Sequence, residues 1–469
     1  MSSTRTAASA PPNLPRERRT EVRLKPGRDA PLRQGRLWVY RTDVYTVSDD
    51  AYDPGDVVRV VDARGRFVGK GYINPRSLIF VRLLTADPDE PIDRAFFRRR
   101  LERALALRRR LAAAHPDTDS FRLVFAEADL LPALIVDRFA DVLVVQTLAL
   151  GIDRWQPVIV ELLEELVAPR GIYERNDVPV RELEGLPQRA GFLRGRFDPR
   201  VEIRENGLPL LVDVAEGHKT GHFLDQRDNR AALRRYVAGA RVLDVFCHTG
   251  AFTCHALAYG AREVVAVDIH GEALALAREN VARVRRALVG AAGPAEAGRP
   301  GRPGEGAAGH GPGAEAAEEP AAPPGPASPR ADRAGGAAGA DLASRVSFHQ
   351  ANAFDFLRAR AAEGDRYDVI ILDPPAFAKN RQALPGAYRG YKEINLRAMK
   401  MLPPGGILVT CSCSYHMTRE RFEAMLLDAA RDTGRRLRIL ERRGAAPDHP
   451  VLLGAGESDY LKCYIVEVW

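Results

Sequence analysis

Short runs of β-branched and aromatic residues, separated by turn residues, make up the first part of the chain. The runs are residues 38–47, 56–62, 66–73 and 77–84. Asp53-Pro54-Gly55 and Arg64-Gly65 lie between them and favour tight turns. The pattern predicts a small β-barrel over residues 21–88, which we expect to bind substrate. Residues 1–20 contain no apolar core segment and are predicted to be a disordered basic tail.

Helical and strand patterns are mixed in the next part of the chain. Residues 92–114 place an apolar stripe on one helical face and arginines over most of the remainder. Those arginines would suit phosphates, although a solvated helix face is the commoner explanation. Further runs predict strands at residues 131–139, 141–148 and 172–177 and a helix at residues 155–167. Together these elements predict an α+β middle domain over residues 89–205.

Apolar strands alternate with helices from about Arg241 onwards. The predicted strands are residues 241–246, 263–269, 346–350, 368–373 and 405–413, and the predicted helices are residues 251–259 and 271–288. This alternation is typical of a doubly wound, mostly parallel sheet, so residues 206–469 are predicted to form an α/β domain. Residues 290–340 contain no Val, Leu, Ile, Met, Cys or aromatic residue. Such a segment has little apolar area to bury and is predicted to be a disordered insert.

Charge and cysteine content narrow the function classes. The net charge of +7 in 469 residues is compatible with a polyanionic partner such as nucleic acid. Five cysteines, an odd number, lie in the C-terminal half without a Cys-x-x-Cys pair, which indicates free thiols and no zinc site. No run of about 18 apolar residues occurs, so neither a membrane span nor a membrane partner is expected. These features predict a cytoplasmic protein without a metal centre.

Polar residues follow the predicted strands of the α/β domain, where such sheets bind ligands. An acidic residue placed like Asp268, after the second strand, accepts hydrogen bonds from the ribose hydroxyls of a nucleoside cofactor. The loop after the first strand has too few glycines for a nicotinamide dinucleotide site. The candidate cofactor contacts are Asp244, Phe246, Gly250, Asp268, Ile269, Asn352 and Ala353. Each signal alone is weak, because an aspartate at a strand end is often a helix cap.

Two further candidate motifs lie at the ends of later predicted strands. Asp373-Pro374-Pro375-Ala376-Phe377 follows one of them, and two consecutive prolines hold the backbone extended beside a carboxylate. Thr410-Cys411-Ser412-Cys413-Ser414 ends the next, where alternation places Cys411 and Cys413 on the same side. A rigid turn and small buried thiols are the simpler interpretations. A thiol opposite a carboxylate at the ligand edge is nevertheless a good candidate nucleophile.

The motifs of the chain resemble one family throughout. They are RLWVYR (36–41), ALIVDR (133–138), IYERND (172–177), RELEGLP (181–187), GHKTGHFLDQRDNR (217–230), VLDVFCHTGAF (242–252), DPPAFAKN (373–380), SCS (412–414), DHP (448–450) and YLK (460–462). The chain resembles the PUA-domain-containing class I methyltransferases of the ribosomal RNA large-subunit methyltransferase I type. The resemblance covers residues 21–469 except the insert. It implies an N-terminal PUA domain, a middle domain and a Rossmann-like, seven-stranded methyltransferase domain whose last strand is antiparallel.

The resemblance also implies an activity. Such enzymes use S-adenosylmethionine to make 5-methylcytosine in 23S ribosomal RNA. Cys413 would be the nucleophile that adds to C6, because the family's Ser-Cys-Ser falls on residues 412–414, with Cys411 as the alternative. Asp373 would hydrogen-bond the N3/N4 edge of a base that has left its stack. The other contacts implied are those of Gln226, Arg227 and also Asp373 to the cofactor, and of Pro374, Pro375, Phe377 and Lys379 to the substrate.

Several alternatives remain open at the level of sequence. His248 and Ala376 stand where relatives would carry other residues, although neither change removes a reacting group. One alternative is methylation of a guanine or adenine nitrogen, for which no cysteine is needed. Another is a non-catalytic RNA-binding assembly protein with a vestigial cofactor site. A small-molecule methyltransferase would not need the N-terminal barrel, and the oligomeric state, with a homodimer as one option, is not fixed.

Overall fold

The computed structural model describes residues 14–291, 344–378 and 380–469. The predicted tail lies outside this range for residues 1–13, but its end at residue 20 is wrong, because the first strand begins at Glu17. The predicted insert over residues 290–340 also lies outside the described residues, except for its first two residues, which continue a helix. Within the described ranges, no helix is both long enough and apolar enough to cross a membrane.

The first domain is a six-stranded sheet that curls on itself. Its elements are β1 (Glu17–Leu24), α1 (Ala30–Arg33), β2 (Trp38–Tyr40), β3 (Val44–Val47), β4 (Val57–Val61), β5 (Phe67–Ile73) and β6 (Ile79–Thr85). The strand order is β2-β6-β5-β4-β1-β3. The run at residues 38–47 is therefore not one strand, because Arg41–Asp43 form a turn and its halves lie at opposite edges. Three residues span only about 10 Å, so the two edges must approach each other as in a barrel.

The middle domain is a five-stranded sheet covered by helices. Its elements are α2 (Arg94–Ala114), β7 (Phe121–Phe125), β8 (Leu134–Phe139), β9 (Val142–Thr147), α3 (Leu150–Arg154), α4 (Gln156–Val167), β10 (Gly171–Asn176) and β11 (Arg189–Arg194). The apolar stripe of α2, including Phe97 and Leu101, is buried as predicted. The arginines of α2 are not all on a solvated face, because Arg108 is buried and forms an ion pair with Asp129.

A seven-stranded sheet forms the third domain and confirms the predicted α/β class. Its elements are the hairpin β12 (Arg200–Glu205) and β13 (Leu208–Asp213), then α5 (Arg227–Ala232), β14 (Arg241–Val245), α6 (Ala251–Ala258), β15 (Glu263–Asp268), α7 (Gly271–Ala291), β16 (Val346–Gln350), α8 (Ala353–Glu363), β17 (Val369–Leu372), α9 (Leu384–Met401), β18 (Gly406–Ser412), α10 (Arg419–Thr433), β19 (Leu437–Arg443) and β20 (Lys462–Val468).

The strand order in this sheet, β16-β15-β14-β17-β18-β20-β19, creates the ligand crevice. The first five strands are parallel, and β20 runs antiparallel to β18, as the resemblance implied. The chain leaves β14 towards β15 and later returns to β17 on the other side. The carboxyl ends of β14 and β17 therefore flank the point at which the strand order reverses, where open α/β sheets bind their ligands.

The hairpin β12–β13 belongs to this third domain. Asn280 of α7 accepts a hydrogen bond from the Leu211 backbone N–H (2.6 Å) and donates one to the Leu211 carbonyl (3.2 Å). Val201 and Leu210 of the hairpin are buried with the strands of the seven-stranded sheet. The predicted boundary between residues 205 and 206 would divide the hairpin, so the boundary lies before Arg200.

Asp448 connects the middle and third domains. Its Oδ2 accepts a hydrogen bond from the Arg122 backbone N–H (2.8 Å), and its Oδ1 lies 3.2 Å from Nη2 of Arg227. Its backbone carbonyl accepts from Arg108 at 2.8 Å. Although burial opposes ionisation, the adjacent His449 and Arg227 hold the pKa of Asp448 below its ordinary value. A fully buried carboxylate thus joins two domains that are distant in sequence.

Replacing Asp448 by Ala is expected to destabilise the protein by about 3–5 kcal/mol, because it leaves the buried Arg227 guanidinium without its main counter-charge. The free energy of unfolding in urea measures this effect. The matched control is Glu279→Ala, which removes a half-exposed partner of Arg200 and is expected to cost less than about 1 kcal/mol. Equal effects of the two substitutions would contradict a structural role for Asp448.

Candidate active site

The loop after β14 is tightly curled. Phe246, His248 and Gly250 adopt left-handed backbone conformations, with φ angles of +66°, +50° and +77°. A Cβ atom at Gly250 would lie 2.9 Å from the Cβ of Ala277 in α7. The glycine is therefore required by a close approach of α7, and not only by the ligand approach expected from sequence.

Asp268 holds the loops after β14 and β15 together. Its Oδ2 accepts a hydrogen bond from the His248 backbone N–H, and its Oδ1 accepts from that of His270, both at 2.9 Å. Each carboxylate oxygen has more than one lone pair, so Asp268 is still able to accept from ribose hydroxyls. The next residue, Ile269, is 54% exposed and presents an apolar surface beside this carboxylate. Such a pair suits the sugar and base of a nucleoside.

Asp244 at the end of β14 is fully buried with spare hydrogen-bonding capacity. Its Oδ2 accepts from the Thr253 hydroxyl at 2.6 Å, while its Oδ1 has no partner among the described residues. Burial, reinforced by the negative charges of Asp373 and Asp268, raises the pKa of Asp244 to about 7. An unpartnered buried oxygen at the ligand edge of the sheet fits a polar cofactor that binds there.

Three of the other proposed cofactor residues have structural contacts. Asn352 caps α8, accepting a hydrogen bond from the Phe354 backbone N–H at 2.9 Å, so only its amide nitrogen remains free. Ala353 follows it and is buried. Arg227 is also buried, with its guanidinium against Asp448 and 4.8 Å from the ring of Phe121. These contacts place Arg227 between domains and account for its burial without any ligand.

Gln226 joins the cofactor side of the site to the Asp-Pro-Pro loop. Its Nε2 donates to Oδ1 of Asp373 at 2.8 Å, and its Oε1 accepts from Asn229 at 2.6 Å. Burial and the nearby charge of Asp225 raise the pKa of Asp373 to about 6. Asp373 therefore exchanges a proton closer to neutrality than an ordinary carboxyl group, which suits hydrogen bonding to a base edge.

The structure separates the two candidate thiols. Cys411 is fully buried in β18 and lies opposite Cys463 in the antiparallel pairing with β20. Cys413 follows the end of β18 and is the only partly exposed cysteine of the five, all of which are described. Its Sγ lies 3.9 Å from the carbonyl oxygen of Pro374. Of the two candidates, Cys413 is thus the thiol that is partly exposed and in contact with the Asp-Pro-Pro loop.

The groups around Cys413 have opposing effects on the pKa of its thiol. Burial raises the pKa of the Cys413 thiol to about 11, and the charge of Asp373 contributes to the increase, whereas Lys219 opposes it. The Lys219 Nζ lies 3.1 Å from Asp225 Oδ2 and 4.4 Å from the centre of the Phe223 ring. Lys219 lies within the motif at residues 217–230, to which the sequence assigned no catalytic role.

Ser412 and Ser414 fix the position of Cys413 between them. The Tyr391 hydroxyl of α9 is 3.0 Å from each serine hydroxyl oxygen, and the Ser414 oxygen also accepts from the Ala378 backbone N–H at 3.1 Å. The sequence interpretation missed Tyr391, because α9 was not predicted. The sequence feature that could have predicted this helix was the spacing of residues 387, 391, 394 and 398, which are all buried.

Lys462 is a second cation near Cys413 that sequence reasoning did not identify. Its Nζ is buried and donates to the carbonyl oxygens of Ser414 and Tyr460, both at 2.7 Å. Burial lowers the pKa of Lys462 to about 8. The sequence feature that could have identified Lys462 was the YLK motif at residues 460–462.

The proposed substrate residues belong to the Asp-Pro-Pro loop, which follows β17. Pro374 is buried and Pro375 is exposed, while Phe377 stacks 4.7 Å from the ring of Tyr391 and 5.8 Å from that of Phe354. Lys379 lies outside the described residues. Within the described part of the chain, no cluster of three or more His, Cys, Asp or Glu side chains could hold a metal ion.

Comparison with known proteins identifies two family models. The PUA-like domain model matches residues 22–86, and the S-adenosylmethionine-dependent methyltransferase model matches residues 187–291. Similar curated relatives include the ribosomal RNA large subunit methyltransferase I of Shewanella denitrificans, which is 39% identical over 96% of this chain and 99% of its own length. The protein of that name from Cronobacter sakazakii is 36% identical over 95% of this chain and 98% of its own length.

A solved structure supports the same fold. A Streptococcus mutans protein assigned as a SAM-dependent methyltransferase superposes with a TM-score of 0.71, at 18% identity, over 95% of this chain and 99% of its own. At that level of identity the likeness concerns the arrangement of all three domains and not the chemistry of the site.

Replacing Asp244 by Asn is expected to change how stability depends on pH. The folded protein keeps the Asp244 proton up to a pKa of about 7, whereas the unfolded chain releases it near the ordinary value of 3.8. Between those pH values the folded state binds more protons, so this group makes the free energy of unfolding fall as pH rises. The variant is expected to gain stability relative to the wild type from pH 4 to pH 7, as measured by urea unfolding.

The control for this experiment is Asp355→Asn, which alters a carboxylate that is 74% exposed. Its stability difference from the wild type should not vary over the same pH range by more than a few tenths of a kcal/mol. An Asp244→Asn difference that stays constant with pH would show that Asp244 is ionised in the folded protein.

Proposed function

Because the chain belongs to the ribosomal RNA large subunit methyltransferase I family, we propose that it methylates C5 of a cytosine in 23S ribosomal RNA. The observation that carries this proposal is the position of Cys413. It is the one partly exposed thiol, and it lies at the carboxyl edge of the sheet beside the loop that bears Asp373. A methyltransferase acting on a nitrogen atom needs no such thiol.

The cofactor of this enzyme is S-adenosylmethionine. Asp268 and Ile269 would hold its ribose and adenine, and the unpartnered Oδ1 of Asp244 would accept a further hydrogen bond. When bound, the cofactor supplies a methyl group that an electron-rich carbon atom accepts. The remaining task of the protein is to make C5 of cytosine electron-rich, because that carbon is a poor nucleophile in the free base.

Cys413 would perform this activation. Its thiolate adds to C6 of the base, which breaks the C5–C6 double bond and leaves electron density on C5. After C5 has been methylated, a base removes the C5 proton, the double bond forms again and the Cys413 thiolate is expelled. The anchoring of Ser412 and Ser414 by Tyr391 keeps the thiol in place for both steps.

Asp373 and Lys219 would assist this chemistry by charge and hydrogen bonding. As a carboxylate, Asp373 accepts a hydrogen bond from the N4 amino group; as a carboxylic acid, it donates to N3, where negative charge develops in the adduct. Its raised pKa makes both forms accessible near neutral pH. The positive charge of Lys219 favours the thiolate form of Cys413.

Features of the site also bear on the two alternatives. Methylation of a guanine or adenine nitrogen would use the Asp-Pro-Pro-Phe-like loop and leave Cys413 without a function. A vestigial cofactor site would have no reason to keep a buried acceptor such as Asp244 Oδ1 unpartnered. Both alternatives therefore explain less of the structure than the thiol mechanism. The proposed substrate and compartment are 23S ribosomal RNA and the cytoplasm.

Replacing Cys413 by Ser is expected to reduce 5-methylcytosine formation by roughly 10³-fold or more, because a serine hydroxyl is not a comparable nucleophile at neutral pH. The measurement is mass spectrometry of nucleosides from 23S rRNA that has been incubated with the enzyme and cofactor. Cys411→Ser is the matched control, and it should retain the product because Cys411 is fully buried and not accessible to the substrate. Full activity of Cys413→Ser, or a product methylated on nitrogen, would exclude the thiol mechanism.

Replacing Lys219 by Met is expected to slow alkylation of Cys413 by iodoacetamide about three- to tenfold at pH 7–9, because removing the positive charge raises the pKa of the thiol. In the wild type, with a pKa of about 11, the alkylation rate should rise about tenfold per pH unit over this range. Lys392→Met, which removes a partner of Asp432, is the control and should leave the rate unchanged. An unchanged rate in Lys219→Met would contradict the electrostatic role.

A further inference from the structure

A pocket of about 330 Å³ lies next to the loop that carries Cys413. Its lining includes Arg381, Tyr415, His416, Arg419, Arg421 and Lys462. Tyr415 immediately follows Ser414, and the Lys462 Nζ donates to the Ser414 carbonyl. The pocket therefore begins where the Ser-Cys-Ser triplet ends.

The pocket has an excess of positive charge. Four cationic side chains line it, and the acidic side chains of the lining are Glu420 and Asp459. Asp459 is already paired with Arg419 at 3.1 Å. Within the described part of the chain, the Arg421 guanidinium donates only to the backbone carbonyl of His416 (3.2 Å), and the Arg381 guanidinium has no polar partner. Two arginines are thus available to an anionic ligand.

An exposed aromatic side chain accompanies these arginines. The ring of Tyr415 is 45% exposed and lies edge-on to His416, with 5.3 Å between the ring centres. An exposed ring beside cationic side chains offers a face on which a base can stack, as in proteins that bind single-stranded nucleic acid.

The segment at the rim of the pocket also contacts the PUA-like domain. The rim includes Gly456, at the end of a segment in which Gly454 packs on the backbone of Gln34; a Cβ at Gly454 would lie 2.0 Å from the Gln34 carbonyl oxygen. Next to this contact, Arg36 lies 4.0 Å from Glu457 and stacks 4.6 Å from the Tyr40 ring centre. Basic and aromatic side chains therefore continue from the first domain to the rim of the pocket.

We propose that this pocket binds the RNA strand beside the target base, with Arg381 and Arg421 on a phosphate group and Tyr415 stacked on a neighbouring base. The proposal rests on the proposed function, because only an RNA substrate brings a phosphate and a second base close to the reacting one. A base that leaves its stack exposes its flanking nucleotides, and these need a binding surface near the thiol. The position of the pocket next to the Ser-Cys-Ser triplet meets that need.

The test is binding of 23S rRNA isolated from cells without the enzyme, measured by filter binding with S-adenosylhomocysteine at several salt concentrations. In the double variant Arg381→Gln/Arg421→Gln, the slope of log affinity against log salt is expected to become shallower by about one for each phosphate that the protein no longer neutralises. Tyr415→Ala is expected to weaken binding about tenfold at an unchanged slope, while Tyr415→Phe retains most of the affinity.

The matched control is Arg431→Gln, at the opposite end of α10, which should bind RNA like the wild type. Calorimetric binding of S-adenosylhomocysteine checks that every variant is folded. Wild-type affinity and salt slope in folded arginine and tyrosine variants would overturn the pocket proposal, whatever base is methylated. Weakened binding together with a product methylated on nitrogen would instead retain the pocket and refute the cytosine mechanism.

Discussion

The burial of carboxylates at one edge of the sheet is the constraint on which the site depends. Parallel strands deliver their carboxyl ends to the same edge, and adjacent strands here end in Asp244, Asp268 and Asp373. Each is accommodated differently: Asp268 by two backbone N–H groups, Asp373 by Gln226, and Asp244 by Thr253 and a raised pKa. The crevice therefore has an acidic character, which complements the positive sulfonium group of S-adenosylmethionine.

A separate set of charged groups surrounds the Cys413 thiol in this acidic crevice. In the proposed mechanism Cys413 ionises in a buried position that disfavours the thiolate, and the nearby charge of Asp373 disfavours it further. Lys219 and the buried Lys462 supply positive charge from two different segments of the chain. The reactivity of the thiol is consequently a balance among three segments, and none of them is adjacent to Cys413 in sequence.

The strands of the third domain were predictable because each is a nearly continuous apolar run buried on both faces of a parallel sheet. The run from Trp38 to Val47 was wrongly predicted as one strand. Alternation of apolar and polar residues does not reveal the turn at Arg41, which sends the two halves of the run to opposite edges of the sheet. Asp244, Asp268, Asp373 and Cys413 were proposed for the site because strand ends meet at one edge, and all four lie at that edge. Lys219, Tyr391 and Lys462 were not, because their roles arise from tertiary contacts that no local pattern encodes. The sequence analysis assigned Arg227 to the cofactor, because the sequence could not show the ion pair between Arg227 and Asp448.

The contact between Gly454 and Gln34 has a consequence for how a target is chosen. Two backbones touch there with no side chain between them, so a swing of the first domain relative to the methyltransferase sheet would break this contact. While the contact is kept, the PUA-like surface and the thiol lie at one set spacing. An RNA that occupies both places has to present its reactive base at that distance from the element held by the first domain, and three-dimensional shape would select the nucleotide as much as its identity does.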